Sequence, residues 1–215
     1  MKIPFAHQTI LILAPHTDDA ELGCGGTMAR LFEEGKKVHV AAFSSAKESL
    51  TEDSPSNRLV AEFHTSMQKL GIPSERIHLY DYPVRNLNLH RQELLDQLIL
   101  LRKQLLPDLV LLPSQHDLHQ DHQVIAYEGL RAFKEASVWG YELPWNTLHF
   151  SSQALVELDP IHLQSKWSAL QAYQSQLELA RPYFTWEFIE SLARVRGMQN
   201  NTLYAEAFEV HRIRF

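Results

Sequence analysis

Residues 8–14 read Gln-Thr-Ile-Leu-Ile-Leu-Ala, an apolar run without alternation that ends at Pro15. Such a run suits a central parallel strand covered on both faces. Apolar positions recur at helical spacing over 25–35, with Met28, Leu31 and Phe32 on one face and Gly35 as a stop. Residues 37–43 predict a second strand, and 44–55 form a polar loop long enough to suggest a function. Residues 57–70 predict a helix with Val60, Phe63, Met67 and Leu70 in register. A short strand follows at 77–79. The helix expected over 93–106 carries Leu94, Leu95, Leu98, Leu101 and Leu105, and Pro107 ends it. The apolar run in 108–113 is a fourth buried strand. This strand–helix alternation predicts an α/β protein with a mostly parallel sheet and helices on both faces.

Beyond it the pattern predicts a helix over 122–135, a strand over 137–141, a loop at Pro144 and Trp145, and helices over 160–179 and 183–195. Residues 204–210 fit helix or strand. No linker, repeat or low-complexity tract interrupts the chain, so 1–215 is expected to be one domain. Residues from about 140 to 215 would then be an elaboration that shapes a pocket.

Composition removes several classes. A formal net charge of −6 leaves no basic footprint for nucleic acid. A single cysteine, Cys24, excludes an intramolecular disulfide and a Cys-rich zinc site. No stretch approaches the length of a membrane span and no leader pattern opens the chain, which sets the expectation of a cytoplasmic protein.

Chemistry concentrates at two strand ends. Past Pro15 come His16, Asp18, Asp19 and Glu21, then Gly23, Gly25 and Gly26. An α/β sheet builds its site where buried strands end. Past the fourth strand come His116, Asp117, His119, Asp121 and His122. Imidazole and carboxylate bind zinc and other divalent metals such as Fe2+, and a catalytic site needs three such ligands and one open position. Neighbouring side chains in an extended segment point apart, so one of Asp18 and Asp19 can serve the metal and the other a water proton. An Asp that caps a helix and a glycine that makes a turn are the bland readings of either cluster alone.

Together, Pro15-His16-Thr17-Asp18-Asp19-Ala20-Glu21 and His119-Gln120-Asp121-His122 resemble the two signatures of the LmbE-like, or PIG-L, family of zinc-dependent N-acetylglucosaminide deacetylases. The resemblance is strongest over 9–30 and 108–130. It implies a Rossmann-like three-layer fold and hydrolysis of the acetamide of an N-acetylated amino sugar, sugar conjugate or nucleotide-sugar. It further implies His16, Asp19 and His122 as metal ligands and Asp18 as general base. His119 would act, as imidazolium, on the tetrahedral intermediate or the leaving amine, with Asp121 to orient and charge it. Homo-oligomers are common in the family. Thr17 stands where the family usually has Pro. Ala20 separates Asp19 from Glu21, so Glu21 is expected to support the loop or cap the helix.

Arg58, one turn before Glu62, is a candidate for binding substrate or anchoring a loop. Tyr141, Glu142 and Arg181 lie in aromatic–polar segments of the kind sugar pockets use. The glycines after the first strand support a second reading, a nucleotide-binding Rossmann-like protein without hydrolase activity. However, their spacing departs from Gly-x-Gly-x-x-Gly, and Asp19 would put a carboxylate where phosphate should sit.

Overall fold

The computed structural model describes residues 5–50, 54–55 and 57–214. Part of the expected 44–55 loop, residues 51–53, lies outside the described residues. Strands β1 (Thr9–His16), β2 (Lys37–Ser44), β3 (Ile77–Leu79), β4 (Leu109–Pro113), β5 (Ser137–Tyr141), β6 (Ala154–Leu158) and β7 (Tyr204–Arg212) form one sheet in the order β3-β2-β1-β4-β5-β7-β6. The first five are parallel. β7 runs antiparallel to β5 and to β6.

The unalternating run of β1 has a simple cause. Ile10, Ile12 and Ala14 enter one core while Leu11 and Leu13 enter the other, so both faces of the strand are covered. Helices α1 (Asp19–Glu33) and α2 (Arg58–Lys69) supply the first core, joined by α5 (Pro160–Leu170) and α7 (Trp186–Gln199). Helices α3 (Arg91–Leu105) and α4 (Gln120–Ala132) supply the second. The chain leaves β1 towards β2 and β3, then returns to β4 on the other side of β1. That reversal opens a crevice past the carboxyl ends of β1 and β4, where both motifs lie.

Four elements depart from the sequence pattern. α1 begins at Asp19, straight off β1, instead of at 25. Glycine disfavours helix, but here close packing overrides propensity. A Cβ on Gly23 would stand 2.2 Å from the Tyr141 ring, and one on Gly26 would stand 2.5 Å from Leu158. These glycines lie within the helix, not in a phosphate-cradling turn, which removes the basis of the nucleotide reading.

At Cys24 α1 kinks (φ −146°, ψ 24°). The buried Lys166–Glu206 pair, 2.7 Å apart, serves the broken ladder. Glu206 accepts the Gly26 and Thr27 N–H groups at 3.0 and 2.6 Å, and Lys166 donates to the Leu22 carbonyl at 2.8 Å.

The helix expected over 160–179 breaks into α5 and the single turn α6 (Gln174–Leu177), because Tyr173 turns inward to Thr17 and Glu21. β6 was not anticipated: it is a short, half-buried edge strand. The ambiguous 204–210 stretch is a strand because it pairs on both sides.

Candidate active site

His16 is the last residue of β1, and Asp19 the first of α1. The tight turn between them brings Asp19 Oδ2 to 2.8 Å from the His16 backbone N–H and 3.0 Å from its Nδ1. α4 brings in His122, whose Nε2 lies 3.3 Å from His16 Nδ1 and 3.3 Å from Asp19 Oδ2. Three donor atoms thus stand 3.0–3.3 Å apart in a buried position. Ligands at about 2.1 Å from one tetrahedral ion are separated by roughly 3.4 Å, so the set fits a divalent cation. The ring of His119 adds a further nitrogen within 4.8 Å of those of His16 and His122.

Each inner imidazole is held from behind by a carboxylate. Asp121 Oδ2 is 3.0 Å from His16 Nε2, and Asp117 Oδ2 is 2.7 Å from His122 Nδ1. Such partners fix the ring and raise its basicity as a ligand. Burial pushes both imidazoles down, but Asp19 with Asp121 raises His16 to about 9, and Asp19 with Asp117 raises His122 to about 10. Burial opposes ionisation of Asp19, yet the two imidazoles overcome it and hold the carboxyl far below its usual range. The cluster concentrates anionic oxygen that calls for positive charge.

The expected partnership of His119 and Asp121 takes a different form. The Asp121 carboxylate is spent on His16 and on the backbone N–H groups of Arg85 and Leu87, at 2.5 and 3.2 Å. It reaches His119 only through its own backbone N–H, which donates to His119 Nδ1 at 3.2 Å as the cap of α4. Burial and the neighbouring imidazolium charges lower His119 to about 4. Nδ1 accepts that bond, which leaves Nε2 as the ring nitrogen not engaged by the cap. His119 thus stands beside the donor set without the side-chain partnership with Asp121 that the resemblance implied.

Asp18 occupies the cap position of α1 but makes no cap hydrogen bond to the helix, and it lines the cavity. Burial and the charge of Asp19 raise it to about 6, against the pull of His16 and Arg181. Glu21 is wholly buried and takes no part in the donor set. Its Oε1 accepts from Ser66 and Tyr173 at 2.6 Å each, and burial raises its carboxyl to about 8.

These residues open on a cavity of about 310 Å³. Of the four expected substrate residues, only Arg181 lines it. Tyr141 is fully buried and donates to the Leu13 carbonyl at 3.0 Å. Glu142 is clamped by both arms of Arg196. Arg58 lies off the cavity, pairs with Glu62 and Glu178 at 3.1 and 2.6 Å, and so anchors a loop.

Sequence reasoning missed Asp117 as the partner of His122, and Arg85 and Asn146 on the cavity wall. Trp145 and Tyr183, from the same aromatic–polar segments as Tyr141 and Arg181, stack at 3.9 Å with planes 8° apart on that wall. A usable signal existed for Arg85. It follows the third parallel strand, on the sheet edge that carries the two motifs.

Comparison with known proteins agrees with this geometry. The chain is 26% identical over 174 residues to an uncharacterized deacetylase, YaiS, of Escherichia coli, covering 77% of this chain and 90% of that one. It is 23% identical over 230 residues to the diacetylchitobiose deacetylase of Thermococcus kodakarensis, covering 92% and 80%. The fold is also shared with a 4-carboxy-2-hydroxymuconate hydratase, GalB, of Pseudomonas putida. That structure has a TM-score of 0.77, 20% identity, and coverage of 97% and 98%, so fold alone does not fix the reaction. A family model described as GlcNAc-PI de-N-acetylase matches residues 11–133, more than half of the chain and both motifs, and the protein belongs to this PIG-L family of deacetylases.

Proposed function

We propose that the protein is a zinc-dependent N-deacetylase that hydrolyses the acetamide of an N-acetylated amino sugar or its conjugate. The observation that carries this reading is the convergence of His16 Nδ1, Asp19 Oδ2 and His122 Nε2 beside an Asp18 carboxylate left free of its helix. Those three atoms would hold the cation, which supplies Lewis acidity to the site when bound.

This chain's residues do the rest. Asp18, raised towards neutrality, takes the proton of the attacking water and returns it to the departing amine. His119, on the cavity wall beside the donor set, stabilises the oxygen on which charge develops. Asp121 and Asp117 orient His16 and His122 and touch no reacting atom. Residues from about 140 to 215 act as the elaboration that shapes the pocket, through Trp145, Asn146, Gln176, Arg181 and Tyr183.

The test is mass spectrometry of N-acetylated sugars and nucleotide-sugars incubated with the zinc-loaded protein and with a chelated control. Loss of 42 Da, about the mass change of acetyl to hydrogen, is expected only with metal and only with Asp18 intact. Equal activity in chelated protein would overturn the reading.

A further inference from the structure

Half of the arginines of this acidic chain are committed to ion pairs. Arg30, Arg58, Arg91, Arg131, Arg194 and Arg196 each meet a carboxylate. Among the described residues, the two arginines that line the cavity, Arg85 and Arg181, form no ion pair. Arg181 is held by its side chain and Arg85 by its backbone. Arg181 donates to the Tyr183 hydroxyl at 2.8 Å, and its guanidinium lies 5.8 Å from the centre of that ring. Arg85 has a φ of +67°, in the left-handed region that favours glycine and asparagine, and its N–H is fixed on Asp121. A long cationic side chain is thus kept at a strained backbone position one hydrogen bond from the centre of the site.

We propose that Arg181 and Arg85 seat an anionic group of the substrate, so that the preferred substrate is an N-acetylated amino sugar bearing a carboxylate or a phosphoryl group. This rests on the deacetylase reading for the position of the acetamide, but the anion site stands on the two arginines. A guanidinium fork matches the oxygens of either group. The stacked Trp145–Tyr183 pair and the amides of Asn146 and Gln176 line the same cavity and suit a sugar ring.

Isothermal titration of the zinc-loaded protein would compare neutral N-acetylglucosamine and N,N′-diacetylchitobiose with N-acetylglucosamine 1-phosphate and N-acetylmuramic acid. One or both anionic ligands should bind at least ~10-fold tighter than the neutral ones at low salt. Which of them does so distinguishes phosphoryl from carboxylate. The advantage should shrink towards unity in Arg181→Gln and Arg85→Gln, and Arg181→Lys should retain part of it. A cation at the site would itself attract anions, and the arginine variants separate that effect. Equal binding of neutral and anionic ligands, or an anionic preference that survives the double variant, overturns the proposal. Tight anion binding without release of acetate leaves the anion site standing and removes the deacetylase reading.

Discussion

Asp117 accepts the Nδ1 proton of His122 at 2.7 Å, and the same carboxylate takes the backbone N–H of His119 through Oδ1 at 2.8 Å. One buried acid therefore sets both the tautomer of one imidazole and the path of the loop that presents another. Asp117→Ala should weaken zinc binding about 10- to 100-fold without removing any of the three converging donor atoms. Competition against a chromogenic chelator measures this. An unchanged affinity would show that packing alone orients His122.

Asp18 should separate metal binding from turnover. Asp18→Asn keeps the shape and the donor set, so zinc content should match the parent while kcat falls roughly 10²- to 10⁴-fold. The pH profile follows from the same residue. A base must be unprotonated, so kcat/KM should rise with pH through an acid limb no higher than about 6, where burial and Asp19 place this carboxyl without a cation. A bound cation would move that limb to lower pH. The limb should be absent in Asp18→Asn.

Glu21 predicts a stability effect of the opposite slope. Burial raises its carboxyl from its ordinary value of 4.5 to about 8 in the fold. Between those values the folded protein holds the proton more tightly than the unfolded chain, so this contribution to stability is full at low pH and lost as pH rises towards 8. Glu21→Gln should flatten that fall and cost little at pH 7. Glu21→Ala should cost about 1–3 kcal/mol, since it strands the buried hydroxyl of Ser66 and leaves that of Tyr173 only the Thr17 carbonyl. Urea unfolding of the three proteins from pH 5 to 9 reads both effects.

His39 and His78, neighbours on β2 and β3, have ring nitrogens 3.3 Å apart and rings stacked at 5.5 Å. Burial and the facing His78 lower His39 to about 4. The unfolded chain binds the extra proton between about 4 and 6.5, so stability should climb with pH across that window and be lost as pH falls through it. His39→Gln should leave a shallower climb in melting temperature, far from the metal ligands and independent of zinc loading.

What could be read in the chain follows from what lies close in sequence. β1, β4 and the residues just past them were legible because a strand's covered faces and the ligands at its end are contiguous. The start of α1 was not, since the glycines that read as a turn are helical only because Tyr141 and Leu158 press against them from far along the chain. Tyr141 and Glu142 read as pocket residues for the same reason. The partner of Glu142, Arg196, lies on α7, and no local pattern reveals it. The exchange of partners between Asp117 and Asp121 depends on which loop side chains turn inward, and spacing does not specify that.

Glu62 ties α2 to the wall of the pocket. Its carboxylate accepts the Ser175 N–H at 3.0 Å and the Ser175 hydroxyl at 2.5 Å, and Arg58 beside it reaches Glu178. α6 is thereby anchored at its Ser175, next to Gln176 and six residues before Arg181. Arg58→Ala should change stability little, because Glu178 is exposed and the pair is screened. Glu62→Ala leaves two donors of Ser175 unmet and should cost about 1–3 kcal/mol. Its kinetic effect should fall on KM, which rises as Gln176 and Arg181 lose their fixed positions, while kcat and zinc content hold near the parent. A matching loss of kcat would instead place α6 in contact with the reacting centre.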